Sequence, residues 1–420
     1  MLKGSALYIV IIIALVIGLL CAALIVAAYF YKTEYQKKFR YEKLENNLSS
    51  GINILLAGAD IPYSQEKTFS LFANDEDSVT LKRISWGLYD IGIVKAFSQR
   101  DTLFKILSIA NSIDSTKWAA LYLIDEDRPF SLSGKTTILG DAYIPKAGVQ
   151  QAYVDNKAYT GDRRLIIGTR HTSDKKLPIL DETKITELQH YFSQQANGRT
   201  LPKNDSVTAS FLKPARVVNF KKQIQTVSDI YINGNVLLFS DTTLIIDSTA
   251  VLKNTLVFAK SIIVKSGFHG NCQLFATDSI KVEENCRFDY PSCLGLFRLQ
   301  TPIVASQAKI SIGENTIFNG IIFTYEKVES SVKPLISLMK KVKITGQVYA
   351  QGILELKDGV EIDGSAFTSR FLYQNSFTRF ENYLINATID AKALSPYYLT
   401  SGLMPVAAKQ KKVLQWLEAN

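Results

Sequence analysis

Three textures of hydrophobic patterning follow one another along this chain. From Ala6 to Phe30 no charged residue interrupts 25 apolar or small positions. Such a run is long enough to cross a bilayer core of roughly 30 Å as a helix. Ala6, Leu7, Ile12 and Leu19 lie along it, with Tyr8 at one end and Tyr29 and Phe30 at the other, as interfacial aromatics should. From Tyr35 to Leu56 the apolar positions Phe39, Leu44, Leu48, Ile52 and Leu55 recur every three to five residues. That spacing predicts an amphipathic helix continuing from the span, and Gly58 supplies its stop. From Ser78 onward the pattern alternates, which predicts strands near 79–93, 102–110 and 118–124, packed as an antiparallel sheet on the helix.

The third texture also repeats. Thr243-Leu244-Ile245-Ile246-Asp247 recurs as Ser261-Ile262-Ile263-Val264-Lys265 and as Ser279-Ile280-Lys281-Val282-Glu283, each at a step of 18 residues. Val342-Lys343-Ile344-Thr345-Gly346 recurs at the same step as Val360-Glu361-Ile362-Asp363-Gly364. A short strand every 18 residues cannot bury its apolar side alone, so successive coils must stack and share a core. The expected architecture is a parallel β-helix with Leu244, Ile246, Ile262, Val264, Ile280, Val282, Ile344 and Ile362 pointing inward. Gly234, Gly270, Gly320, Gly346 and Gly364 are expected at or near corners. Phe239, Phe258, Phe275, Phe323, Tyr349 and Phe367 are assigned to an aromatic stack.

The expected fold is therefore mainly β. It comprises a transmembrane anchor over 1–32, a small α+β head over 33–130 and first β-helix strands over 131–149. An insertion with a helix at Asp181–Gln195 follows over 150–229, then the parallel β-helix proper over 230–373 and a helical cap over 374–420. The wider step between Gly320 and Gly346 predicts one coil carrying a short helical excursion, Val332–Met339.

The head of the chain carries a family resemblance. Lys3-Gly4-Ser5-Ala6-Leu7, the apolar run that follows at once, and the amphipathic stretch beyond it resemble the start of type IV pilins and type II secretion pseudopilins. In that family a short basic leader ends in Gly, which would place a leader boundary at Gly4-Ser5. Most members carry Glu at the fifth position after that Gly, whereas this chain has Ile9. The departure implies a minor, non-repeating member. The resemblance further implies a single-pass protein of the inner (cytoplasmic) membrane, with its bulk extracytoplasmic and with pilin-like or secretion-apparatus subunits as partners alongside the lipid bilayer. The positive-inside count points the other way, because Lys32, Lys37, Lys38, Arg40 and Lys43 follow the span while only Lys3 precedes it.

Composition narrows the chemistry. Lys and Arg total 48 against 39 Asp and Glu, a net charge of +9. These cations are spread along the chain rather than clustered, which disfavours nucleic acid as a partner and leaves an acidic polysaccharide open. Gly134-Lys135-Thr136 is not a phosphate loop, because Pro129 stands where the motif requires Gly. His171, His190 and His269 lie in no metal or nucleophile signature, so no metal, cofactor or catalytic residue is expected. Asp247, Lys265 and Glu283 occupy equivalent places on successive coils and read as a surface charge ladder rather than a glycosidase pair. Cys272, Cys286 and Cys293 are either buried thiols between coils or the source of one disulfide. The expected function is structural, in a cell-envelope filament or secretion-type apparatus. The alternatives are an anchored carbohydrate-active or carbohydrate-binding β-helix protein and a bactofilin-like membrane-bound polymer.

Overall fold

The computed structural model describes residues 3–58, 65–71, 77–98, 101–114, 118–193, 206–299, 306–406 and 408–419. It is mainly β, with one long apolar N-terminal helix and a second, short helix. Two compact units divide it: residues 1–83, 92–106 and 419–420 form one, and residues 84–91 and 107–418 the other.

In the first unit, α1 (Lys3–Ala57) is a single uninterrupted helix of 55 residues. Only its last third is covered. Leu44, Leu48, Ile52 and Leu55 are buried with Asn47 and Gly51 between them, a repeat of three and four that keeps one face turned inward. Strand Lys67–Ser70 pairs antiparallel with Asp77–Trp86, Thr68 facing Thr80. Val79, Leu81 and Val94 are buried against the helix at Gly51. Gly51 allows the close approach, since a Cβ there would overlap the Val79 and Val94 side chains. Arg40 meets Asp101 at 3.2 Å, and Lys43 pairs with Asp77.

The second unit is a large, closed, barrel-like set of parallel strands. Its register reproduces the repeat: Thr243 faces Ser261, Ser261 faces Ser279, and Lys343 faces Glu361. One turn of chain supplies three short strands. Ser206–Ala209, Arg216–Asn219 and Gln225–Val227 all pair with successive parts of Tyr231–Ile246. Leu244, Ile246, Ile262, Val264, Ile280, Val282, Ile344 and Ile362 are all buried in the one large core.

Two recurring backbone devices turn the chain. Gly267, Asn285, Asn315, Lys341 and Gly359 hold the left-handed conformation three residues after the buried Val264, Val282, Ile312, Leu338 and Leu356. At a second corner Gly320, Gly346 and Gly364 stack in register with φ from 140° to 148°. A Cβ on any of them would overlap a carbonyl oxygen of the preceding strand, so glycine is required there. Gly234 shares this feature, but Gly270 does not have a positive φ.

Several expectations are corrected. The 374–420 tail is not helical: it forms strands Arg379–Glu381, Tyr383–Ile385, Thr388–Asp390, Leu399–Thr400 and Ala408–Ala419. The region 332–339 contains strand Leu335–Leu338 in the ladder, not a helix. The 150–229 segment is not simply an insertion, because its strands Arg170–Thr172, Ser206–Ala209, Arg216–Asn219 and Gln225–Val227 all join the parallel set. Its helix is present as α2 (Glu182–Ser193); the end expected at Gln195 lies outside the described residues. The 131–149 strands do not precede the 231–246 strand in space. Glu361–Gln374 pairs next with Thr388–Asp390 and Ala119–Leu123, and these pair with Thr137–Leu139 and Asp141–Ile144. Segments from both ends of this unit's sequence therefore sit side by side in one layer.

The aromatic stack is longer than expected and lies in a single register column. Phe239, Phe258, Phe275, Gly295, Phe323, Tyr349, Phe367, Tyr122, Tyr143 and His171 follow one another across nine strand pairings. Phe239, Phe258 and Phe275 stack at 5.3 and 5.0 Å between ring centres. At Gly295 the column has no ring, and Phe297 from the same strand fills in, 6.1 Å from Phe275 and 5.1 Å from Phe323.

Candidate functional site

Two features stand apart from the packed interior, one in each unit. The first is the uncovered part of α1. Leu7, Tyr8, Ile12, Leu19, Tyr29 and Phe30 are all exposed, from 43% for Ile12 to 73% for Tyr29, and Ala6 is exposed too. A soluble surface rarely shows a continuous apolar cylinder of this kind. By length and composition the helix can cross a membrane. Gly4 and Ser5 lie within the helix backbone, and their side chains are outside the described residues.

The second feature is a groove of about 520 Å³ in the second unit, within the usual size of small-ligand sites. Its floor is made by neighbouring parallel strands that bring Tyr325, Tyr349, Gln351 and Arg370 together. Its wall is the stretch Lys175–Ile185, which leads into α2. The opposite lip is 327–333, inside the wide step between Gly320 and Gly346.

The polar groups of this groove fall into two sets. Most are already committed. Arg370 makes a two-pronged pair with Glu126 at 3.0 and 2.8 Å, and its remaining nitrogen reaches Glu381 at 3.1 Å. Tyr349 donates its hydroxyl to the Pro178 carbonyl at 2.9 Å, pinning the wall to the floor. Burial, the largest cause, pushes the Tyr349 phenol up, so it stays a donor at neutral pH. Gln351 accepts from the Glu326 amide at 2.7 Å and donates to its carbonyl at 3.2 Å. Glu326 is itself buried against Arg298 at 3.2 Å, with Ser330 donating to it at 2.7 Å. Lys333 pairs with Glu329 at 2.7 Å. The charged groups without an ion pair among the described residues are the exposed Lys176 and Lys327 and the Glu182 carboxylate. Lys333 holds the Glu329 carboxyl below its ordinary pKa, and Lys176 lies close enough to add a smaller pull in the same direction.

The wall is held by α2. Asp181 caps that helix, accepting from the Lys184 amide at 2.8 Å. Lys184 is buried and contacts Asp90 at 2.7 Å, Glu187 at 2.8 Å and Ser85 at 3.2 Å. Burial alone would lower its pKa, but the two carboxylates raise it, so it remains charged. Tyr191 donates to the Ser85 carbonyl at 2.8 Å, and burial pushes its phenol up to about 12. Tyr191 and Phe192 then lie on Phe258 of the aromatic column, at 5.1 Å each.

The remaining sequence candidates do not converge on a reaction centre. Asp247 caps its own turn, accepting from the Thr249 amide at 3.1 Å and hydroxyl at 3.2 Å. Glu283 pairs with Lys265 at 3.1 Å, so the expected charge ladder is formed between two coils only. His269 meets Asp289 at 2.6 Å on the surface, and His171 stacks on Tyr143 at 4.8 Å. Cys272, Cys286 and Cys293 are free, not paired as a disulfide. Burial raises all three thiol pKa values, which leaves them as neutral packing groups. Among the described residues no group of three His, Cys, Asp or Glu side chains could hold a metal ion.

The groove was not identified from the sequence. The wide 320–346 step marked an irregular coil in a regular array, but the strand register that assembles the floor was not readable.

No protein-family model matches the chain, and no curated protein matches it. Among solved structures, the competence-associated pilin ComZ from Thermus thermophilus aligns over 84% of this chain and 87% of its own, at 10% identity. The TM-score is 0.21, too low for the likeness to bear on fold or function.

Proposed function

We propose that this chain is a membrane-anchored, non-enzymatic component of a pilin-type filament or secretion apparatus, in which α1 is both lipid anchor and assembly helix. One observation carries the reading: α1 runs unbroken from an uncovered apolar half into a half whose single face is buried under a sheet. The build resembles the head of a type IV pilin, and Ile9 in place of the usual Glu suits a minor subunit. The anchor sits in the inner (cytoplasmic) membrane, and the bulk of the chain is extracytoplasmic. The parallel set is best read as a β-helix, since each 18-residue step supplies strands paired in register with the next. Its role is to present a rigid binding surface.

A bactofilin-like polymer, built by stacking such sets end to end, is disfavoured by charge. The first coil carries Lys213, Arg216, Lys221 and Lys222, with the Glu418 carboxylate bonded to it through Ser210 and the Phe211 amide as a single negative charge. The last strand, Arg170–Thr172, is flanked by Arg163, Arg164, Lys175 and Lys176, of which Arg164 pairs with Asp162 and Lys175 with Asp127, so a smaller positive excess remains. Bringing two such ends together sets like charges opposite one another. An anchored glycosidase needs two converging carboxylates, and Asp247 and Glu283 are each tied to other partners.

A photo-crosslinker placed at Ile12 tests the assembly role in intact cells. The expected result is a discrete adduct with a subunit that has its own N-terminal apolar helix. Adducts with lipid alone would contradict it.

A further inference from the structure

From the groove of the second unit we infer a binding site for an acidic saccharide, which gives the rigid surface proposed above a ligand and rests on that reading. Three observations point to this class. First, the cavity of about 520 Å³ has a fixed frame, because Arg370, Tyr349 and Gln351 are each held by partners within the protein. A ligand therefore meets a preformed shape and little ordering cost remains. Second, the charges without an ion pair among the described residues are two ammoniums, Lys176 and Lys327, against one carboxylate, Glu182. Lys176 stands on the wall and Lys327 on the opposite lip, so an anionic group between them would answer both. Third, the lining is mixed rather than uniformly basic. Glu182 lines the same cavity, and a carboxylate there accepts hydrogen bonds from hydroxyls while repelling a densely charged polyanion. Tyr325, half-buried on the floor, offers a ring against which the C–H face of a sugar can lie. One carboxylate per sugar with hydroxyls between, as in a polyuronate, suits two ammoniums set among neutral and acidic groups. A duplex nucleic acid, with a charge about every 1.7 Å of its axis, does not.

The test uses the full chain in nanodiscs of neutral lipid, titrated with trigalacturonate, maltotriose, inorganic phosphate and a short DNA duplex. The expected result is saturable binding of trigalacturonate, with maltotriose and phosphate at least about tenfold weaker. In Lys176→Gln/Lys327→Gln the trigalacturonate affinity should fall at least about tenfold, with unchanged melting behaviour. Equal binding of maltotriose, tighter binding of the duplex, or full affinity in the double variant would each overturn the proposal. Failure here is separable from failure of the anchor reading. The double variant should still fractionate with membranes and still give the Ile12 adduct, because both lysines lie outside α1.

Discussion

At the scale of single residues, the corners of the ladder decide the most. Gly346 lies between Gly320 and Gly364 with φ 140°, and its missing side chain makes room for the Gly320 carbonyl. Gly346→Ala must move backbone, not merely a rotamer, and should cost about 1–3 kcal/mol. A fall in the denaturation midpoint of that size, with the denaturant slope unchanged, would check it. Lys341 presents the opposite case. It holds φ 57° where equivalent positions are Gly267, Asn285, Asn315 and Gly359. A left-handed Lys carries a steric cost that glycine lacks, so Lys341→Gly should stabilise by about 0.5–1 kcal/mol, seen as a higher melting temperature. These corners were only half legible in the sequence. Gly346 and Gly364 stood out because they repeat in register, whereas Lys341 carries no mark of its conformation, and Gly270 lies beside a register shift without a positive φ.

At the scale of elements, the two helices show what a pattern can and cannot reveal. The α1 span was evident because an unbroken apolar run has one sensible environment, and its covered end because Leu44, Leu48, Ile52 and Leu55 share a face. The tail misled for the complementary reason. Val413, Leu414, Trp416 and Leu417 are compatible with either a helical or an alternating reading, and tertiary pairing selected the strand Ala408–Ala419. Short strands such as Leu335–Leu338 are set by the neighbours they pair with, Lys309–Ile312 and Lys343–Leu356, so local propensity carries little information about them. For α1 the expectation is quantitative. Leu15→Arg/Leu19→Arg places two guanidiniums mid-span at roughly 2.5–3.5 kcal/mol each. Membrane fractionation should then show a loss of carbonate-resistant protein relative to wild type.

At the scale of the whole chain, the layering of distant segments has consequences for folding. Thr388–Asp390 and Ala119–Leu123 both pair with Glu361–Gln374, and the 131–144 strands stack beyond them. The repeat made stacking legible, but not this order, because pairing between residues 250 positions apart leaves no periodic trace. A chain ending at residue 374 would lose Tyr383–Ile385 and Thr388–Asp390, and with them a partner for Ser131–Ser133 and Thr137–Leu139. Such a truncation should not trim a cap. It should raise proteolysis throughout 119–172, measured by limited digestion of the purified protein against the full chain. The groove lies near this junction, since Arg370 is held by Glu126 and Glu381 from the two converging segments, so its shape depends on the same closure.

The central claim is that α1 threads the membrane and delivers everything after it to the outer side. The most direct measurement is a pair of reporters fused after Asn420, one active only beyond the cytoplasmic membrane and one fluorescent only in the cytoplasm. The account predicts activity from the first and none from the second. The reverse pattern would place the parallel set in the cytoplasm and contradict the pilin-type reading.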